Sequence, residues 1–146
     1  MATVNNSQRR AGGPFFVAQK PVADVFGNHV LQGLLVRANT GLALAVTVES
    51  GVAVVSGKTI FVYQETYSLT AAHGSLDRKD LIQVGVGTRT KISVKPGTAA
   101  ATPTAPNPDS ECIPLAIVDV VANDTVLDYW NVNNDVRPIL VGPQNW

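Results

Sequence analysis

The single cysteine of this 146-residue chain, Cys112, is its strongest nucleophile, and only two histidines, His29 and His73, could serve it as a base. A thiol nucleophile needs a base within hydrogen-bond reach and a third group to orient that base. Cys112 instead opens the apolar run Ile113-Pro-Leu-Ala-Ile-Val-Asp-Val-Val121, where a small thiol packs as a hydrophobe. His73 precedes Gly74 and Ser75 and reads as a loop residue, and neither histidine lies in a recognisable motif. Covalent catalysis by Cys112 with His73 is therefore disfavoured. Two histidines and one cysteine, widely spaced, make no metal-ligand pattern, so no metal and no cofactor are expected.

Paired carboxylates could hydrolyse a polysaccharide, but the eleven acidic residues mostly stand beside Asn, Ser or Gly, the turn-like setting of a solvated carboxylate. Asp119 is the exception: it alternates into an apolar strand and is expected to face a neighbouring subunit or solvent. The chain is also short for the groove of a depolymerase. The expectation is a protein that is not an enzyme, with no catalytic residues. Binding is harder to set aside. Tyr63, Tyr67, Tyr129 and Trp130 could stack on sugars, since an aromatic ring offers an apolar face with a polar edge. Isolated aromatics on strands more often serve as core or interface anchors; Tyr129 and Trp130, followed by Asn131, are the receptor-contact candidates.

Two further pairs suggest structural chemistry. Arg78 and Asp80 stand at a strand entrance, and Asp135 and Arg137 flank the last turn. A planar guanidinium can brace two carbonyls or hold a carboxylate bidentately. Arg137 pairing with Asp80, or Arg78 with Asp135, would lock the end of the domain to its middle; otherwise these are solvated ion pairs contributing little.

The elements that must position these residues follow from patterning. Apolar residues make up 45% of the chain and charged residues only 15%, below the ~25% of ordinary soluble domains, which points to surface hidden in an assembly or covered by Thr, Ser and Asn. The formal net charge is zero, so nothing supplies the positive field that displaces counterions from phosphates, and no nucleic-acid partner is expected. A lone cysteine excludes an intramolecular disulfide. The N-terminus lacks the apolar core of a secretory signal. No apolar stretch approaches the ~20 residues that span a bilayer, so no membrane partner is expected and the chain reads as soluble before assembly.

Residues 1–29 read as an extended docking arm: Gly12-Gly13-Pro14 and Lys20-Pro21 break every period, yet Phe15, Phe16 and Phe26 are too apolar for a solvated tail and are interface candidates. Residues 30–137 read as an antiparallel β domain. Leu42, Leu44, Val46 and Val48 share one face, and Val52–Val55, Thr59–Tyr63, Asp80–Val86 and Arg89–Val94 follow as short strands joined by Gly-containing turns. No sustained helical period occurs. The segment from Pro96 to Pro108, with Pro103 and Pro106, favours an extended path across the surface of the same domain. Ile113–Val121 is the most buried-looking strand, with Pro114 expected at its start. Residues 138–146, ending on Trp146, read as a C-terminal contact tail and a further interface candidate. The expected fold is all-β, an antiparallel sandwich or barrel-like domain of short strands with an extended N-terminal arm.

From about Gly41 to Arg137 the chain resembles a module of tail-fibre, baseplate and related virion proteins of tailed bacteriophages. The similarity is carried, in order, by Gly51-Val-Ala-Val-Val-Ser-Gly57, Arg78-Lys-Asp-Leu-Ile82, Gly97-Thr98 before the spaced prolines, Ile113-Pro-Leu-Ala-Ile-Val118, Asn123-Asp-Thr-Val126 and Asp135-Val-Arg137. The resemblance implies a structural role, generally as a homotrimer, with no catalytic residue to carry over. It favours a tail placement, as a baseplate or fibre-base component. The chain ends favour a second placement. The arm before Val30 has no counterpart in the module, and the sequence stops nine residues beyond Arg137, where a fibre would continue into a shaft. The expectation is a homotrimeric capsid decoration protein, partnered by itself and the major capsid protein. A tail baseplate or fibre-base component, with receptor or glycan contacts, is the alternative.

Overall fold

Alternating β-branched residues commit the first half of the chain to strands, because Val, Ile and Thr pack well on a pleated surface. In a computed structural model, which describes residues 27–41, 43–86 and 91–139, these residues form six short strands. They are β1 (His29–Gly33), β2 (Val36–Ala38), β3 (Ala45–Val48), β4 (Gly51–Val55), β5 (Lys58–Val62) and β6 (Glu65–Ser68). All pair antiparallel, in the orders β1-β4-β5 and β2-β3-β6.

The two orders are one arrangement bent in the middle. Strands β1 and β2 run on through Leu34-Leu35, β3 and β4 through Glu49-Ser50, and β5 and β6 through Tyr63-Gln64, so three long strands share one corner. The ladder continues across it: Gly33 faces Gly51, the Leu34 amide donates to the Ser50 carbonyl at 3.3 Å, and the Glu49 amide donates to the Leu35 carbonyl at 2.9 Å. Glycine is required there. Gly33 has φ +67°, and a Cβ on Gly33 or Gly51 would run into the other strand's backbone. Leu34 also has positive φ (61°), a strained conformation held by complete burial of its side chain.

The second sheet is four-stranded, in the order β10-β9-β7-β8: β7 (Arg78–Gly85), β8 (Ile92–Lys95), β9 (Cys112–Val120) and β10 (Val132–Asn133). The β7–β9 ladder shifts register between Ile82 and Gln83, where Pro114 faces Gln83. Pro114 is the third residue of β9, close to the expected start, in a part of the strand that β10 does not reach. The proline-spaced segment joins β8 to β9 without forming a strand.

Apolar faces of both sheets close on one core. Val46, Val48, Ala53, Val55, Ile60 and Val62 of the bent sheet join Ile82, Val84, Ile92, Leu115, Val118 and Val120 of the other, with Leu127 beneath the last loop. The expected face of Leu44, Val46 and Val48 is buried, while Leu42 lies outside the described residues. The fold is all-β and antiparallel, as patterning predicts. Among the described residues, the one helical element is the 3-10 turn Tyr129–Asn131. Phe15, Phe16, Phe26 and Trp146 also lie outside the described residues.

Candidate functional site

Buried polar side chains are where chemistry would be sought, and here they hold backbone. Arg78 and Asp80 lie two apart on β7, so their side chains share a face. The guanidinium grips the carboxylate bidentately, Nε to Oδ1 at 2.8 Å and Nη2 to Oδ2 at 3.1 Å, with both side chains buried. Arg78 also donates to the Ala71 carbonyl at 2.7 Å and to the Thr70 carbonyl. Asp80 Oδ1 accepts the Gly97 amide at 2.9 Å, and a Cβ on Gly97 would collide with the Lys79 carbonyl. The pair therefore ties β7 to the loop after β6 and to the chain leaving β8.

The long-range pairing anticipated for these residues does not form. Arg78 meets its own neighbour Asp80, not Asp135, because the period of a strand puts them side by side. Arg137, instead of meeting Asp80, donates from Nη1 to the Gly33 carbonyl at 2.8 Å and from Nη2 to the Leu34 carbonyl, the two carbonyls of the corner. Desolvation lowers the Arg137 guanidinium's pKa from its ordinary value, and the charge of Glu49 opposes that effect. Asp135 is exposed and uses its amide to donate to Asn133 Oδ1 at 2.8 Å.

Arg137 has a partner in this clamp that no sequence motif marks, Asn134, whose Oδ1 accepts from Arg137 Nη2 at 3.3 Å. Asn134 Oδ1 accepts the Val36 amide at 3.0 Å, and its Nδ2 donates to the Val36 carbonyl at 2.9 Å. Just beyond, the Val30 amide donates to the Pro138 carbonyl at 2.6 Å, and Ile139 bridges Val30. Segment 134–139 thus covers the outer edge of β1 and β2, immediately after β10 has joined the other sheet.

A third network centres on Gln83, buried in β7. Its amide donates to Asp109 Oδ2 at 2.8 Å and to Ser93 Oγ at 3.1 Å, and its carbonyl accepts the Asp109 amide at 2.9 Å. Lys95 Nζ meets Asp109 Oδ1 at 2.7 Å and the Asn107 carbonyl at 2.8 Å. The hydrogen bonds from Lys95 and Gln83 hold the Asp109 carboxyl below its usual range.

The candidate catalytic pair is taken apart by the ladder. Gly85 faces Cys112 at one end of β7–β9 and Arg78 faces Val120 at the other, roughly 20 Å away at ~3.3 Å per residue. His73 belongs to the second end, where its carbonyl accepts the Asn123 amide and its Nδ1 accepts the amides of Ser75 and Leu76, both at 3.1 Å. Partial burial, then the charges of Asp109 and Glu111, push the Cys112 thiol up, away from a ready thiolate. His29 is buried in β1, its Nδ1 2.8 Å from the Gly27 carbonyl.

A groove open to a partner lies at the Arg78–Val120 end, about 510 Å³ in volume. Asp77 joins its walls: the Asp77 carbonyl accepts the Ala100 amide at 3.0 Å, and its Oδ1 accepts the Ala122 amide at 2.9 Å. Lys79 and Asp119 face each other across β7 and β9 and pair at 2.5 Å, so Asp119 turns to the outer face as expected. Thr102 and Pro103 line one side and Trp130 another. Buried Leu127 and Asn131 fix the turn from both ends, the latter through its Oδ1 to the Asp128 amide at 2.8 Å. Between these anchors Tyr129 and Trp130 are forced outward, 77% and 65% exposed, with their rings edge to face at 5.1 Å. Tyr63 and Phe61 are exposed at the far side of the bent sheet, with Tyr67 half-buried nearby.

Comparison with protein-family models, curated proteins and solved structures found no match to this chain. Among the described residues, no helix is long and apolar enough to cross a membrane.

Proposed function

We propose that this chain is a non-enzymatic structural protein of a tailed-phage virion, acting as a homotrimeric decoration protein on the capsid surface. The ordered run of module motifs supports the virion reading. One structural observation supports the mechanical role: Arg78, Asp80, Gln83, Asn134 and Arg137 all bind backbone or side chains that hold their own chain together. Motif residues Arg78, Asp80, Gly97 and Arg137 are accounted for by this clamping. Meanwhile Phe61, Tyr63, Tyr129 and Trp130 are left outside, where large apolar groups serve contact better than cohesion.

In this reading three copies associate through apolar surface, and the arm from Met1 to Asn28 reaches onto neighbouring coat subunits through Phe15, Phe16 and Phe26. Many weak contacts then act together against internal pressure. Aromatic anchors carry a large share of binding energy in such interfaces. Removing Met1–Gly27 is expected to leave a folded trimer that no longer binds particles in a sedimentation assay. A truncated protein that still decorates capsids would reject the arm's role. The exposed pair Tyr129 and Trp130 favours a second reading, a tail baseplate or fibre-base component in contact with a receptor.

A further inference from the structure

We propose that the groove walled by Thr102-Pro103 and Trp130 binds a neutral saccharide. Trp130 is the first reason. Nothing in the fold requires an indole at that position, since Leu127 and Asn131 already anchor the turn. Its ring meets that of Tyr129 edge to face at 5.1 Å and is 65% exposed, so an apolar aromatic surface is presented to the groove. A sugar ring offers such a surface its C–H face.

Two acidic residues lining the groove, Asp77 and Asp119, supply the polar half of the recognition. Lys79 occupies Asp119 Oδ1, and the Ala122 amide occupies Asp77 Oδ1. The second oxygen of each carboxylate has no hydrogen-bond partner among the described residues. Acceptors lining the same groove as an aromatic ring suit hydroxyl groups, which donate and are uncharged. Charge selects the class further. Asp77 and Asp119 outweigh Lys79, and Arg78 is neutralised by buried Asp80, so a phosphate or acidic sugar meets a net negative field. The volume of about 510 Å³ lies within the ~300–1,000 Å³ of small-ligand sites. This inference stands on the groove alone and does not depend on the virion reading.

The test follows the indole N–H resonance of Trp130 in the full chain, assigned by its loss in Trp130→Phe, because the sequence contains two tryptophans. The probes are maltotriose, cellotriose and chitotriose, with sialyllactose as the acidic control. At least one neutral trisaccharide is expected to shift the resonance, with half-saturation at about 1 mM or below. Trp130→Ala, at an exposed position, should keep the melting temperature and weaken binding about tenfold or more, followed for parent and variants alike by isothermal titration calorimetry because this variant removes the indole reporter. Asp119→Asn should weaken it without touching the aromatic surface. The proposal is overturned if none of the three neutral probes moves the resonance at about 10 mM. It is equally overturned if sialyllactose binds better than all of them, or if both variants bind like the parent.

Discussion

The side chain of Asn134 reads both backbone groups of Val36, accepting its amide at 3.0 Å and donating to its carbonyl at 2.9 Å. One amide side chain thereby takes the place of a neighbouring strand at the outer edge of β2. An uncovered edge is a template for unwanted pairing, and this one is closed from the chain's own end. Asn134→Ala removes both bonds and leaves partly buried donors and acceptors unpaired, so a loss of about 1–3 kcal/mol is expected in urea unfolding. Hydrogen exchange at the Val36 amide should accelerate in the same variant. An unchanged exchange rate would show that the contact is incidental.

Breaking the buried pair in β7 should cost more. Asp80→Asn leaves the Arg78 guanidinium enclosed without its counter-charge, which typically costs about 3–5 kcal/mol. The double variant Arg78→Met/Asp80→Leu should lose less than the sum of its single variants, by about 0.5–3 kcal/mol, as expected of coupled neighbours. Additive losses in a double-mutant cycle would show that the two residues act separately.

Acid should loosen the proline-spaced segment first. Hydrogen bonds from Lys95 and Gln83 lower the Asp109 pKa in the folded chain. A depressed carboxyl contributes stability that is present above its unfolded pKa, about 3.9, and is lost as pH falls through the lower folded value. Amide exchange around Asn107 and Asp109 should therefore rise at acid pH, before the core opens. In Asp109→Asn the acid-dependent step at this segment should disappear.

Cys112 should alkylate slowly at neutral pH. Its thiol is raised by partial burial and by Asp109 and Glu111, so the thiolate fraction is small. Iodoacetamide labelling is expected to speed up with pH, and to be faster in Asp109→Asn than in the parent. A rate at pH 7 equal to or above that of free cysteine would contradict this assignment.

Much of the fold was legible because strand alternation is local. Val46 and Val48 face inward, Thr47 is half-exposed, and Ile60 and Val62 are buried on either side of exposed Phe61. The corner was not legible: Ser50-Gly51 reads as an ordinary break, and only the pairing of Gly51 with Gly33 makes it a bend within continuing strands. The bracing role of Arg78, Asp80 and Arg137 was readable from side-chain chemistry, but their partners were not. The i, i+2 spacing of Arg78 and Asp80 was the signal that could have paired them, since it places both on one face of a strand. Asn134 carried no such signal. Its partner Val36 lies 98 residues away and presents only backbone, which looks alike at every position. Trp130 stands out in the sequence by its type, while its groove depends on Asp77 and Pro103 being brought together by the fold.

Localising the protein on intact particles by immunogold electron microscopy tests the proposed role most directly. Particles purified from cells that produce the chain should carry label in many copies over the head surface, with no enrichment at the tail. Label confined to a few sites at the tail would contradict decoration, and particles without label would contradict a virion role altogether.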